Sequence, residues 1–395
     1  MNPAARTRTA IELLDEIIVA ARDGGASADV LIQRGFAARR YAGSKDRRAI
    51  RGLIYDAIRL CGERPDSGRA ALLALAASDP ALAATFDGST YGPAPIGVDE
   101  AAARPGTAPA WLTDALAASG IDADQAAALL GRATLDLRVN TLKADVAQVR
   151  AALPDAVPVD GLDAALRLPS DTSVEATQPY LGGWIEVQDA GSQIVTLAAG
   201  AQPDTRVVDL CAGGGGKTLA LAAAMANRGK LLATDSDRAR LSRLMPRAER
   251  AGVSIVETRL LNPGRESEPL ADWTATADVV LIDAPCSGTG TWRRNPEARW
   301  RLTPARLAKL VETQARLLDV GAALVKPGGA LVHIVCSLLD AEGKGQVEAF
   351  LARHPEWAAA PLALPLGTPH GPGMRLTPLS HSTDGFFVAK LRRPW

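Results

Sequence analysis

The chain has 395 residues, 47% of them apolar, and its 44 basic and 44 acidic side chains cancel to a formal charge of zero. That length suits two or three domains with sizeable cores, and the neutral balance excludes a protein that attracts nucleic acid or anionic membrane by bulk charge. The four cysteines show no framework spacing, no apolar run approaches spanning length and the first residues carry no signal-type apolar region, so a cytoplasmic monomer without membrane association is expected.

Residues 10–22 (Ala10, Ile11, Leu13, Leu14, Ile17, Ile18, Ala21) and 47–60 carry apolar positions at helical spacing, and Asp79-Pro80 divides an Ala/Leu-rich helical stretch. Residues 1–86 therefore read as an all-α domain. Arg34, Arg39, Arg40, Lys45, Arg47, Arg48 and Arg51 cluster in it. A local basic face tracks phosphates while acids elsewhere cancel the sum, although solvated helix faces give the same pattern. Residues 87–110, rich in Gly, Pro and Ala, read as a linker, and 111–183 as a small α+β module with strands at 135–143 and 164–168. Over 184–395 strand and helix alternate (207–210, 217–227, 230–235, 237–251, 253–257, 278–283, 304–320, 330–336, 341–353, 385–391), which predicts a doubly wound α/β sheet with a final antiparallel hairpin.

Three stretches of that last region carry chemistry. Thr205 to Leu210 reads as a strand that breaks into Cys211-Ala212-Gly213-Gly214-Gly215-Gly216-Lys217-Thr218 and enters a helix, which lets backbone N–H groups approach a ligand closely. A Walker A loop needs Gly where Cys211 stands, and the dinucleotide fingerprint needs Gly where Thr218 stands. S-adenosylmethionine fits better, with residues 211–217 beside its methionine part and Asp235, at the end of the next strand, on the ribose hydroxyls.

The other two stretches are Asp283-Ala284-Pro285-Cys286-Ser287-Gly288-Thr289-Gly290 and His333-Ile334-Val335-Cys336-Ser337, each placing Cys-Ser after a buried-strand pattern. A lone strand-end cysteine is more often a small buried hydrophobe, but two in matching settings at the ligand end of an α/β sheet point to thiol chemistry on a substrate. A metal site is not expected, because there is no C-x-x-C pair and the four His lack ligand spacing. Arg293, Arg294, Arg299 and Arg301 follow the first thiol as a second basic cluster.

These motifs resemble those of the RNA 5-methylcytosine methyltransferases of the Nol1/Nop2/Sun family. Further matches are Leu137-Arg138-Val139-Asn140-Thr141-Leu142-Lys143, Val187-Gln188-Asp189 through Ser192-Gln193, Arg293-Arg294-Asn295-Pro296-Glu297 with Trp300, and Asp384 to Leu391. Residues 1–86 are similar to the NusB-like helical domain of the bacterial small-subunit ribosomal RNA branch. The resemblance implies a Rossmann-like S-adenosylmethionine-dependent methyltransferase domain and an RNA substrate. Ribosomal RNA is preferred, and transfer RNA or a non-catalytic role in ribosome assembly are the alternatives. It implies Cys336 as the nucleophile, Cys286 as the group that assists release, Asp283 on the cytosine edge and near the cofactor, and Lys217 beside the methionine end or the catalytic loop. Position alone does not order the thiols, since DNA cytosine methyltransferases use a Pro-Cys thiol as nucleophile. Arg293 and Arg294 are expected on RNA phosphates. The chain departs from the family pattern at Gly213-Gly214, which replace Ala-Pro, at Leu260-Leu261-Asn262, where an adenine-contacting Asp is expected, and in its shorter helical domain.

Overall fold

The computed structural model describes all 395 residues and divides into two compact units, residues 1–131 with 291–303, and 132–290 with 304–395.

The first unit is helical. Helix α1 (Pro3–Asp23) starts at Asn2, whose side chain accepts the Ala5 N–H, and stops at Gly24, whose φ of 75° only glycine adopts readily. Its apolar stripe (Ala10, Leu13, Leu14, Ile17, Ile18, Ala21) packs with α2 (Ala28–Ala38), α3 (Ser44–Leu60) and α4 (Gly68–Ala76) around one core. Asp79 caps the short helix Pro80–Ala83. The stretch 87–110 has no helix or strand before Ala110, and it is held to the unit by the Arg69–Glu100 ion pair and a Cys61–Pro105 bridge.

Residues 291–303 fold with these helices although they lie deep in the second half of the sequence. Ser27 makes no side-chain cap on α2, and Glu297 supplies it by accepting the Ala28 N–H at 3.0 Å. Trp300 enters the helical core and donates Nε1–H to the Cys61 carbonyl at 3.1 Å. Arg299, fully buried, donates to the carbonyls of Pro296, Ile58, Arg59 and Cys61, and Arg301 to those of Ala20, Gly25 and Ala26. Arg299 and Arg301 are therefore internal pins and not part of a phosphate-facing cluster. In the α2–α3 region Arg39 pairs with Glu12, Arg51 with Asp29 and Arg47 bonds the Ala42 carbonyl, whereas Arg34, Arg40, Lys45 and Arg48 are exposed.

The second unit holds two sheets. Strands β1 (Leu135–Val139), β2 (Val157–Val159), β3 (Leu162–Leu168) and β4 (Ile185–Val187) form an antiparallel sheet in the order β2-β3-β1-β4. Asn140, just past β1, donates to the carbonyls of Gly183 and Ala251, and Lys143 donates to Gly182 and Arg250, so the Arg-Val-Asn-Thr-Leu-Lys segment caps the last carbonyls of helix Leu244–Ala251.

The large sheet contains β5 (Arg206–Asp209), β6 (Lys230–Asp235), β7 (Val256–Leu260), β8 (Ala277–Asp283), β9 (Val325–Val335), β10 (Ala358–Ala360), β11 (Thr368–His370), β12 (Gly373–Leu376) and β13 (Phe386–Arg392). Its order is β11-β12-β13-β9-β8-β5-β6-β7, with β10 also on β13; β9 to β7 run parallel, and β13 is antiparallel to β9 and β12. Strands β5 and β8 are buried on both faces, as their unbroken Val/Leu/Ile runs require. The expected α/β class with a helical N-terminal region is observed.

Arg299→Ala is expected to leave four carbonyls of the helical unit without their shared donor, a loss of about 3 kcal/mol. Denaturant unfolding followed by helical circular dichroism measures it, and a midpoint equal to the parent's would contradict the pinning role.

Candidate active site

From β5 the chain passes to β6 and β7 on one side, then crosses to β8 and β9 on the other. Such a switch point opens a crevice at the carboxyl ends of the strands. Asp209 ends β5, Asp235 ends β6, Asp283 ends β8 and Cys336 follows β9 directly. A cavity of about 590 Å³ lies there, lined among others by Cys211, Asp235, Asp283, Cys286, Arg306 and Cys336.

The loop after β5 is shaped by two left-handed glycines, Gly213 at φ 56° and Gly215 at φ 87°. A Cβ on Gly215 would stand 2.7 Å from the Leu244 side chain, so side chains are excluded by space as well as by φ. The loop is tied to β6: the Ala212 N–H bonds the Thr234 carbonyl at 2.8 Å, and the Gly213 N–H bonds Asp235 Oδ2 at 2.8 Å. Asp237 N–H holds the other Asp235 oxygen at 2.7 Å, which fixes the carboxylate plane at the cavity wall. Arg247, held by the buried Glu186 of β4, donates to the Gly214 carbonyl at 2.5 Å and anchors the loop from the outside. Apolar Leu210, Leu261, Pro263 and Leu317 line the same cavity. A glycine cradle, an oriented acid and an apolar slot suit a nucleoside carrying an amino-acid-like tail, so the donor set fits S-adenosylmethionine.

Lys217, nearly buried at the start of helix Gly216–Ala224, donates to Asp283 Oδ2 at 2.6 Å and lies over the Phe386 ring. Burial pulls its ammonium down, but the Asp283 charge and hydrogen bond outweigh it and hold the group above its ordinary range. Asp209 takes the other course. It is completely buried, and that desolvation pushes its carboxyl up to about 7 even though the Thr218 hydroxyl donates to it at 2.7 Å. Burial likewise raises the Cys211 thiol.

The two Cys-Ser turns meet. The Sγ atoms of Cys286 and Cys336 are 3.3 Å apart, and the Ala284 N–H to Ile334 carbonyl and Gly290 N–H to Cys336 carbonyl bonds hold the turns side by side. The neighbouring Cys336 sulfur and burial push the Cys286 thiol well up. Gly290 lies flat against Gly385, where a Cβ would come within 2.0 Å of the Gly385 carbonyl oxygen.

Of the residues read from the sequence in this unit, Cys211, Asp235, Asp283, Cys286 and Cys336 line one cavity, with Gly213 tied to Asp235 and Lys217 to Asp283 beside it. Asn262 is exposed and does not line the cavity; Leu261 and Pro263 do. Arg293 and Arg294 are half-buried and engaged within the protein. Sequence reasoning missed Arg247 and Glu186, and it missed Glu342, whose buried carboxylate receives Ser287 N–H at 2.8 Å, the Ser287 hydroxyl, the Ser337 hydroxyl at 2.5 Å and Gln314 Nε2 at 3.0 Å. Nothing local marks these positions, because an acid or arginine on an amphipathic segment reads as solvated. Burial lowers the His333 imidazole, which bonds the Glu342 carbonyl at 2.9 Å, and Gln314 Nε2 donates to the Pro285 carbonyl at 2.9 Å.

Because the Asp209 carboxyl is raised from its unfolded value, its neutral form stabilises the fold fully below about pH 4, and that contribution is lost as pH rises through about 7. Asp209→Asn should thus gain on the parent between pH 4 and 7, by on the order of 4 kcal/mol in total. Parallel urea titrations at several pH values read this, and a pH-independent difference would contradict the buried neutral acid.

The model of the family described as 16S rRNA methyltransferase RsmB/F matches residues 195–392, from helix Ala190–Leu197 to the end of β13. A probable ribosomal RNA small subunit methyltransferase B of Synechocystis is 37% identical over 273 residues, 66% of this chain and 60% of that protein, so this chain spans about three fifths of that relative's length. The crystal structure of PH0851 aligns with 100% of this chain and 99% of its own, at 25% identity and a TM-score of 0.76. A methyltransferase homolog protein from Pyrococcus horikoshii aligns with 72% of this chain and 99% of its own, at 28% identity and a TM-score of 0.60. With the matched span covering the switch-point crevice, its glycine loop and both thiol turns, the chain belongs to the RsmB/F methyltransferase family.

Proposed function

We propose that this chain methylates carbon 5 of a cytosine in RNA, with 16S ribosomal RNA as its substrate, using S-adenosylmethionine. The observation that carries this reading is the pair of thiols 3.3 Å apart at the crevice that also holds the glycine loop, Asp235 and the Lys217–Asp283 pair. Binding alone requires none of these thiols, and the relatives named as small-subunit methyltransferases support the ribosomal substrate.

S-adenosylmethionine supplies an electrophilic methyl group, held by residues 211–217, with Asp235 on its ribose hydroxyls. Carbon 5 of cytosine is too poor a nucleophile to take that group unaided. The Cys336 thiolate forms a bond to carbon 6, and the electron pair displaced onto the ring makes carbon 5 enamine-like. Asp283 accepts or donates at the N3 and N4 edge and stabilises the charge that develops there, while Lys217 holds the Asp283 carboxylate in place. Carbon 5 then bonds the methyl carbon as its bond to the sulfonium sulfur breaks, which leaves a neutral thioether, and carbon 5 carries both its original hydrogen and the methyl group. Cys286 assists removal of that proton, and the sulfur–carbon 6 bond breaks to restore the ring and free Cys336. Asp283 and Cys286 are the two ends of one turn, and Pro285 between them fixes it.

Cys336→Ala should abolish both methyl transfer and any covalent protein–RNA complex, whereas Cys286→Ala should form the adduct and resolve it slowly, leaving a denaturant-resistant, slow-migrating band. The reverse assignment of the band would exchange the thiols' roles, and full activity in both variants would end the covalent reading. Bisulfite sequencing of total RNA from cells with and without the protein names the modified cytosine and separates ribosomal from transfer RNA.

Arg293 and Arg294 are proposed to contact RNA phosphates. Replacing both with Ala should weaken RNA binding across sequences and flatten its salt dependence by about one to two phosphate contacts. An unchanged slope of log affinity against log salt would remove them from the interface.

A further inference from the structure

We propose that Glu342 is the positioning residue that sets the spacing of the two thiols, by seating both Cys-Ser turns on one buried carboxylate. The inference rests on the thiol chemistry proposed above and deepens it.

The geometry is directional. One Glu342 oxygen, Oε1, receives the Ser287 N–H at 2.8 Å and Gln314 Nε2 at 3.0 Å. The other, Oε2, receives the Ser287 hydroxyl and, at 2.5 Å, the Ser337 hydroxyl. A carboxylate offers about four acceptor sites, and all are taken by donors from three different elements. A relay extends the set: Leu338 N–H donates to Thr289 Oγ1 at 2.9 Å, Thr289 Oγ1 lies 3.1 Å from Ser337 Oγ, and Ser337 passes its hydrogen to Glu342. Each thiol immediately precedes one of the two serines in this network, so the Sγ–Sγ separation is tied to Glu342 through one residue on either side.

The Glu342 charge also reaches Cys286, where it adds to the Cys336 sulfur and burial in raising that thiol. The glutamate touches neither substrate nor sulfur, so its action is through the turns and the field.

The test uses the full chain and needs no RNA. Site-resolved alkylation by iodoacetamide, followed against pH by peptide mass spectrometry, should show Cys286 reacting only at raised pH in the parent. In E342Q, which keeps shape and removes charge, the Cys286 profile should move to lower pH. Diamide, which takes one hydrogen from each thiol as the sulfurs join, should form the Cys286–Cys336 disulfide at least about tenfold more slowly in E342A, where the seat is gone.

With RNA, kcat in E342Q should fall about tenfold with the KM for S-adenosylmethionine unchanged. E342D keeps the charge on a shorter stem; its Cys286 profile should stay at high pH, which separates charge from packing even if E342Q unfolds. Superimposable alkylation profiles in parent and E342Q, or equal disulfide rates in parent and E342A, would overturn the role. Slower disulfide formation in E342A together with a parent that transfers no methyl group to any RNA would instead defeat the substrate reading and leave Glu342 in place.

Discussion

Parallel strands that leave β5 in opposite directions cannot place their following segments over the same space, so the carboxyl ends of β5 and β8 open onto a gap. Everything chemical in the second unit is a strand end at that gap. The register fixes which residues arrive there: Asp209 pairs with Leu281, and Asp283 with Ile334, so each acid closes its strand at the rim. Two residues past Ile334, just beyond the end of β9, comes Cys336, and a turn from Asp283 returns Cys286 to meet it. The antiparallel return of β13 against β9 completes the wall, where Gly385 allows the Gly290 backbone to lie flat.

Gathering three acids in one crevice has an electrostatic cost, and the protein meets it in three ways. Asp209, with no exposure, holds its proton to about pH 7. Asp283 takes a cation, Lys217, whose own burial is offset by the same pairing. Asp235 takes two backbone N–H donors, one from the glycine loop and one from the turn after β6. The different solutions leave different functions open. A neutral acid braces the loop-to-helix junction through Thr218; in the proposed function the paired carboxylate presents its edge to a base and the carboxylate with oriented oxygens accepts from hydroxyls.

Strand ends were legible because apolar runs such as Val279 to Ile282 stop at a polar residue, and the residues named at those ends are the ones that meet. Legibility failed where the signal was not apolar periodicity. The stretch 237–251 read as one helix, but it is two, Arg238–Leu241 and Leu244–Ala251; Pro246 cannot donate to the preceding turn and is tolerated only in a first turn. Strand β7 runs Val256–Leu260, later than the expected 253–257, because it is a half-buried edge strand whose charged Glu257 and Arg259 break the apolar run that marks the buried strands. Strand β9 starts at Val325, through Lys326-Pro327-Gly328-Gly329, which reads as a turn and is accommodated by a register shift opposite Ala277–Val279. Among the arginines after Cys286, charge was visible and burial was not. Arg299 shares its neighbours' composition but bonds four carbonyls in the interior of the helical unit.

The features that escaped the sequence share a physical character. Glu342, Glu186 with Arg247, Glu297 and Arg299 are charged groups taken out of water, where an apolar replacement of the same volume is often neutral or stabilising. Their retention is understandable in terms of direction. Apolar contacts are indifferent to small slides, whereas in the proposed reaction a sulfur that reaches one ring carbon, and a loop that presents its N–H groups to a ligand, need fixed orientations. Glu186 and Arg247 carry that constraint from β4 to the Gly214 carbonyl, and Glu342 carries it to the two thiol turns. Glu297 and Arg299 do the same for an excursion of the chain that has no strand or long helix of its own to hold it. Direction comes from long-range pairings between residues far apart in sequence, so a local pattern cannot announce it, and each such group costs desolvation that its hydrogen bonds offset, incompletely where Glu297 Oε2 and Arg299 Nε lack a partner.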